Sequence, residues 1–270
     1  MTDTRRHFVP VDGATLCVRD DGPVAGSCVL MAHSIMTDGR MWDAQAAHLV
    51  GLGYRVLRLD SRGHGGSTCG PAPLTIDRLA ADVVQVLDAL GVARSHFVGL
   101  SLGGMVGFAL GQQHAGRLAS LVICDARADS PPGFAQPWDE RIALARGQGM
   151  AALVEPTLQR WFGDRLATLD ASAQASLRDA IASTSVDGFV ATARALQAFD
   201  YTAKLGAMPA QATLVVGSED GILPGVMEDL ARRMPQAVLE VIPGTGHLPN
   251  AEKPEAFNAI LERALQRGTR

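Results

Sequence analysis

Ser95-His-Phe-Val-Gly99-Leu-Ser101-Leu-Gly103-Gly-Met105-Val-Gly-Phe108-Ala109 joins a short apolar run to a helical one through a serine set between two glycines. The pattern predicts a strand over Ser95 to Val98, a tight turn at Ser101, and a helix carrying Met105, Phe108 and Ala109. A strand-to-helix turn of this kind lifts its middle residue out of the backbone. Small neighbours permit the close chain approach that the strained geometry requires. With 29 glycines among 270 residues, the bare Gly-x-Ser-x-Gly pattern is weak by itself, and its place between strand and helix carries the reading. Ser101 is therefore a candidate nucleophile.

Outward from this turn, short apolar runs alternate with amphipathic ones, as in an α/β protein with a mostly parallel sheet. Strands are expected at Thr15 to Arg19, Cys28 to Ala32, Tyr54 to Leu59, Leu121 to Cys124, Ala212 to Val216 and Ala237 to Ile242. Ile76, Leu79, Ala80, Val83, Leu87 and Leu90 recur at helical spacing, with Thr75 as N-cap and Gly91 as stop. A last helix starts near Pro254, with Phe257, Ile260, Leu261, Ala264 and Leu265 as its apolar stripe. Residues 129–201 show helical patterns and no strand. They read as a helical cap inserted into a core made of 1–128 and 202–270.

Composition narrows the classes of function. The 47% hydrophobic content supplies a full core and excludes a disordered chain. A net charge of −4 lacks the basic excess of a nucleic-acid binder, and no apolar run is long enough for a membrane span. Cys17, Cys28, Cys69 and Cys124 are scattered, which suggests reduced, mostly buried thiols and neither a disulfide scaffold nor a zinc site. No targeting segment is evident at the N-terminus, so the cytoplasm is the expected location.

A serine hydroxyl is a poor nucleophile near neutral pH and needs a base that is itself oriented by a carboxylate. In this architecture the chain order is serine, acid, histidine. The strand ending at Val216 runs into Gly217-Ser-Glu219-Asp220, and the next leads to Pro243-Gly-Thr-Gly-His247. Asp220 and His247 are the expected acid and base, with Glu219 the local competitor. His114 is assigned to the end of the helix after Ser101. Oxyanion donors are expected from the backbone N–H groups of Leu102 and, in the loop after the third strand, Ile35.

These residues, together with His33-Ser-Ile35, Met41-Trp42, Asp60-Ser-Arg62-Gly-His64-Gly-Gly-Ser67 and Gly246-His247-Leu, resemble the cap-bearing α/β-hydrolases over most of the chain. Thr37-Asp38, Trp138 to Met150, Arg160-Trp161-Phe162 and Pro249-Asn250-Ala-Glu252 are similar to 3-oxoadipate enol-lactonases in particular. The resemblance implies an eight-stranded, mostly parallel sheet with helices on both faces, and a serine hydrolase acting on a small ester or lactone without metal or organic cofactor. It leaves open whether the substrate is an acidic enol-lactone or a neutral lactone or ester, and whether the chain forms a homo-oligomer. Two departures from the enol-lactonase pattern stand out. His33, Ile35 and Met36 stand where the oxyanion loop commonly reads Asn-Ser-Leu-Gly, and Gln197-Ala-Phe199 replaces an Arg-Asp pair, removing a positive charge.

In the cap, Met150 and the expected pocket residues Trp138, Trp161 and Phe162 could equally be packing; Met36 is the pocket residue expected from the core. Arg141 and Arg160 are read as a solvated helix face, with a substrate-carboxylate role as the competing reading. His64 is read as part of a structural turn, and His33 as a support for the oxyanion loop. Three rival activities remain on the same fold: carbon–carbon bond hydrolysis of ring-fission diketones, cofactor-free perhydrolysis, and a slowly hydrolysing ligand receptor.

Overall fold

The computed structural model describes residues 4–71, 73–208 and 212–267. Eight strands, β1 (Arg5–Val11), β2 (Ala14–Asp21), β3 (Cys28–Ala32), β4 (Arg55–Leu59), β5 (Ser95–Leu100), β6 (Leu118–Cys124), β7 (Ala212–Gly217) and β8 (Val238–Ile242), form one sheet. Their spatial order is β1-β2-β4-β3-β5-β6-β7-β8, with β1, β2 and β4 antiparallel neighbours and every later pairing parallel.

The seven strands read from the sequence are all present, with ends displaced by up to three residues. The eighth, β1, is an edge strand. It opens on Arg5, Arg6 and His7 and contains Pro10, whose missing N–H is tolerated only where one side of a strand needs no partner. Those residues mask its alternation in the sequence. The central strands β3, β5 and β7 are buried at every position because helices cover both faces of the sheet.

The helices are α1 (Asp43–Gly51), α2 (Ile76–Ala89), α3 (Leu102–Gln113), α4 (Pro132–Ala135), α5 (Pro137–Gln148), α6 (Val154–Phe162), α7 (Ala171–Ser183), α8 (Val186–Leu196), α9 (Leu223–Arg233), α10 (Pro249–Glu252) and α11 (Pro254–Arg267). Thr75 caps α2 as expected, its hydroxyl accepting the Arg78 N–H at 3.1 Å. Helices α4 to α8 all lie between β6 and β7. Backbone hydrogen bonds from Ser130 to Phe199 and from Tyr201 to Ala128 tie the two ends of this stretch together, beside an isolated bridge between Asp129 and Asp200. The helical stretch thus leaves and rejoins the sheet at one place. It sits beside the carboxyl ends of the parallel strands, the edge at which open α/β sheets place their sites.

Candidate active site

Ser101 joins β5 to α3 with φ 55° and ψ −110°, a left-handed conformation that side-chain-bearing residues avoid. Its N–H donates to the Cys124 carbonyl at 2.9 Å, which ties the turn to β6. The flanking glycines are required sterically. A Cβ on Gly99 would lie 2.1 Å from the Gly103 carbonyl oxygen, and one on Gly103 would lie 2.2 Å from the Ala32 carbonyl oxygen. The sequence motif is thus a packing condition for presenting the serine.

Asp220 follows β7 and His247 follows β8, and the His247 Nδ1–H donates to Asp220 Oδ2 at 2.6 Å. Burial disfavours charge on Asp220. The His247 imidazole and Arg160 outweigh it and hold the carboxyl below its ordinary range. The backbone N–H of His247 donates to the Trp161 carbonyl at 3.1 Å, and the Trp161 ring stacks on the imidazole at 5.9 Å between centroids. Helix α6, in the helical stretch between β6 and β7, therefore holds the histidine. Glu219, the competing acid, points elsewhere: it pairs with Arg165 at 2.6 Å, and Arg165 also grips Glu252 at 2.8 Å.

Ser101, Asp220 and His247 line one cavity of about 520 Å³. Ser101 Oγ itself forms no hydrogen bond among the described residues. Contacts of this kind are often long in unliganded sites and shorten when substrate binds.

The loop after β3 carries Ile35, which lines the cavity, and Met36, which lines it with φ 64°. The backbone N–H groups of Ile35 and Leu102 have no acceptor among the described residues. His33 fixes this loop. Its Nε2 accepts the Ser61 N–H at 2.9 Å and its Nδ1–H donates to the Ser34 carbonyl at 2.7 Å. Burial lowers its pKa, in keeping with a neutral ring that can accept at Nε2. His64 packs 5.2 Å from it, fully buried, with its pKa pushed down to about 3 by burial and by His33. A ring so enclosed has no route to substrate. His114 caps the end of α3, away from the cavity.

Trp138 and Trp161 line the cavity, whereas Phe162 does not. Phe162 is fully buried in the apolar core, so its expected pocket role gives way to packing, because successive helical residues face different directions. Arg141 lines the cavity partly buried, contrary to the solvated-face reading, whereas Arg160 lines it too but stays exposed, as that reading expected. Arg141 lies over the Trp138 ring at 4.7 Å, and burial followed by the charge of Arg160 pushes its pKa down to about 10. Neither guanidinium forms an ion pair with a described residue. Arg127, a third cavity guanidinium, is held by Asp129 at 2.9 Å.

Sequence reading missed Asp125, a fully buried carboxyl at the cavity wall immediately after β6. Its position one residue past a strand end was the available signal. Gln197 donates to the Ala135 carbonyl at 2.8 Å and so ties α8 to α4 where an arginine was expected. Among the described residues no group of three or more His, Cys, Asp or Glu side chains could hold a metal ion, and no helix is long and apolar enough to cross a membrane.

Residues 29–260 match the sequence profile of the alpha/beta hydrolase family. The chain belongs to that family. Within it, 3-oxoadipate enol-lactonase 1 of Acinetobacter baylyi is 30% identical over 248 residues, 92% of each chain. A relative from Variovorax paradoxus named for carbamate hydrolysis is 32% identical, over 91% of this chain and 94% of its own. The crystal structure of the enol-lactonase from Burkholderia xenovorans superposes with a TM-score of 0.90 at 32% identity, covering 96% of this alpha/beta hydrolase and 100% of that chain.

Proposed function

We propose that this alpha/beta hydrolase cleaves a small lactone or carboxylic ester through a Ser101–His247–Asp220 triad and an acyl-enzyme. The observation that carries the reading is the 2.6 Å Asp220–His247 hydrogen bond in the same cavity as a serine held in a strained turn. His247 Nε2 takes the Ser101 hydroxyl proton as Oγ attacks the carbonyl carbon, while Asp220 keeps the imidazole in the Nδ1–H tautomer and stabilises it once charged. The Ile35 and Leu102 N–H groups receive the oxyanion. Collapse breaks the acyl–oxygen bond, and His247 returns its proton to the departing oxygen. In a lactone that oxygen stays tethered to the acyl group. Water then adds with His247 again as base, and the free acid leaves.

The helical stretch 129–201 acts in this reading as a cap that shapes the acyl pocket through Trp138 and Trp161, with Met36 narrowing the floor beside the oxyanion donors. Arg141 and Arg160, neither of them in an ion pair with a described residue, favour a substrate that carries a carboxylate. The positive charge absent at Gln197 is thus supplied from α5 and α6.

The test is a panel of lactones, nitrophenyl esters and a carbamate, followed by acid release. The carbamate is included because of the carbamate-named relative and would be attacked at the same carbonyl carbon. Ser101→Ala should lose about 10³-fold or more of turnover while remaining folded by circular dichroism, and a variant that keeps its activity would remove Ser101 from the reaction.

A further inference from the structure

The end of β6 holds a carboxyl group that the reaction above does not use. Asp125 follows Cys124 with φ 43°, is 1% exposed, and donates its backbone N–H to the Val215 carbonyl at 2.9 Å. Its Oδ1 accepts the N–H of Gly217, the last residue of β7, at 2.9 Å. Its Oδ2 has no hydrogen-bond donor among the described residues. The neighbour within hydrogen-bonding reach is another acid, the carboxyl of Asp220.

Two buried carboxylates in contact cannot both be ionised, and one proton between them turns repulsion into a hydrogen bond. The surroundings decide which of the two carries it. Asp220 receives the His247 Nδ1–H and lies in the field of Arg160 on α6, so charge is favoured there. Asp125 has one amide N–H in its favour. Deep burial, the negative charge of Asp220 and that of Glu252 on α10 act against its ionisation and raise its pKa well above the ordinary value. Cys124, beside it in the chain, is a fully buried thiol whose pKa is itself raised by burial and by Asp125, so it stays neutral and offers no compensating charge. The strained backbone at Asp125 is the kind of cost that persists when the surroundings over-determine a position.

We propose that Asp125 is a positioning residue, held as a neutral carboxylic acid whose O–H donates to the Asp220 carboxylate. The inference rests on the Ser101–His247–Asp220 reading. The hydrogen bond has two consequences. It fixes the plane of Asp220 against the imidazole, and it draws off part of the Asp220 charge. A carboxylate so engaged stabilises imidazolium less strongly, so losing the Asp125 donor should strengthen the hold of Asp220 on the charged ring.

The experiment compares wild type, Asp125→Asn and Asp125→Ala by NMR titration of the His247 imidazole, by the acid limb of kcat/KM for 4-nitrophenyl acetate, and by infrared detection of a protonated-carboxyl C=O band. Asparagine can still accept from Gly217 and donate to Asp220, whereas alanine can do neither. Asp125→Asn should rescue the profile, with the His247 titration and acid limb within about 0.3 pH units of wild type and the carboxyl band lost. Asp125→Ala should raise both by roughly half to one unit and lower kcat/KM about tenfold at pH 6.

A downward shift of about one unit or more in Asp125→Asn would mean that an ionised carboxylate had been removed, and would overturn the proposal. So would an alanine variant that titrates like wild type, or a wild type lacking the infrared band. Should the alanine variant fail to fold, the asparagine titration and the infrared band still decide. Both are read without turnover, so they report on Asp125 separately from the Ser101→Ala assay, whose failure would overturn the nucleophile instead.

Discussion

Replacing Arg141 with methionine removes a half-buried guanidinium that stacks on Trp138 at 4.7 Å and pairs with no described carboxylate. Desolvation, then the nearby charge of Arg160, pushes its pKa from 12.5 down to about 10. The whole penalty for keeping it charged is present at neutral pH, below the folded-state value, and amounts to about 3 kcal/mol at the scale of 1.4 kcal/mol per pKa unit. The lost cation–π contact returns roughly 1–2 kcal/mol of that. Arg141→Met should therefore be more stable than wild type by about 1–2 kcal/mol in urea unfolding, an unusual sign for a change at a partly buried residue. The cost to function should run the other way. A hydrogen bond to a charged group contributes roughly 1.5–3 kcal/mol, so kcat/KM for 4-nitrophenyl hemisuccinate should fall about 10- to 100-fold. For neutral 4-nitrophenyl butyrate it should change by less than about threefold. Equal losses on both esters, or a destabilised variant, would refute the reasoning that an unpaired cavity cation is kept for an anionic substrate.

Two further outcomes follow from the frame around the site. Gly103→Ala places a Cβ 2.2 Å from the Ala32 carbonyl oxygen, so α3 and β3 must separate; unfolding should become about 1–3 kcal/mol easier and turnover should drop, and a change below about 0.5 kcal/mol would contradict the packing account of the motif. Asp20 is 1% exposed; burial opposes its charge, but hydrogen bonds from Arg55, Arg5 and His7 prevail and lower its pKa from 3.8 to about 2. A depressed acid contributes stability above its unfolded value and loses it as pH falls through the folded one. Asp20→Asn should thus cost about 2 kcal/mol or more at pH 7, with the gap to wild type narrowing between pH 4 and pH 2 in a denaturant series; a gap that stays constant over that range would rule out Asp20 as its source.

What the sequence made legible was whatever local chemistry dictates. Short runs dominated by apolar residues declared β3, β5, β6 and β7, and glycines on both sides of Ser101 declared the turn, because no other residue fits against Gly103 and Ala32. Chain order alone singled out His247. Choosing between Glu219 and Asp220 was harder, since both sit on the same loop. In the structure Arg165, on the helical stretch between β6 and β7 and far away in sequence, engages Glu219, while Asp220 accepts from the imidazole. β1 escaped notice because an edge strand can carry charges and a proline that an interior strand cannot.

Phe162, Arg141 and Asp125 show a different limit. A sequence displays the residue but not its partners, and each of these is defined by what stands opposite it. Phe162 is chemically as suited to a pocket as Trp161, yet only the neighbour faces the cavity. Arg141 looks like any surface arginine of a polar helix until the lack of an ion-pair partner among the described residues is seen. Asp125 reads as an ordinary polar residue at a strand end, and gains its meaning only because β6 and β7 lie side by side with Asp220 on the next loop. Unpaired charge and shared protons are properties of pairs, so they emerge when the sheet brings distant strand ends together. In the proposed reaction, those pairs would set the substrate preference and the proton inventory of the site.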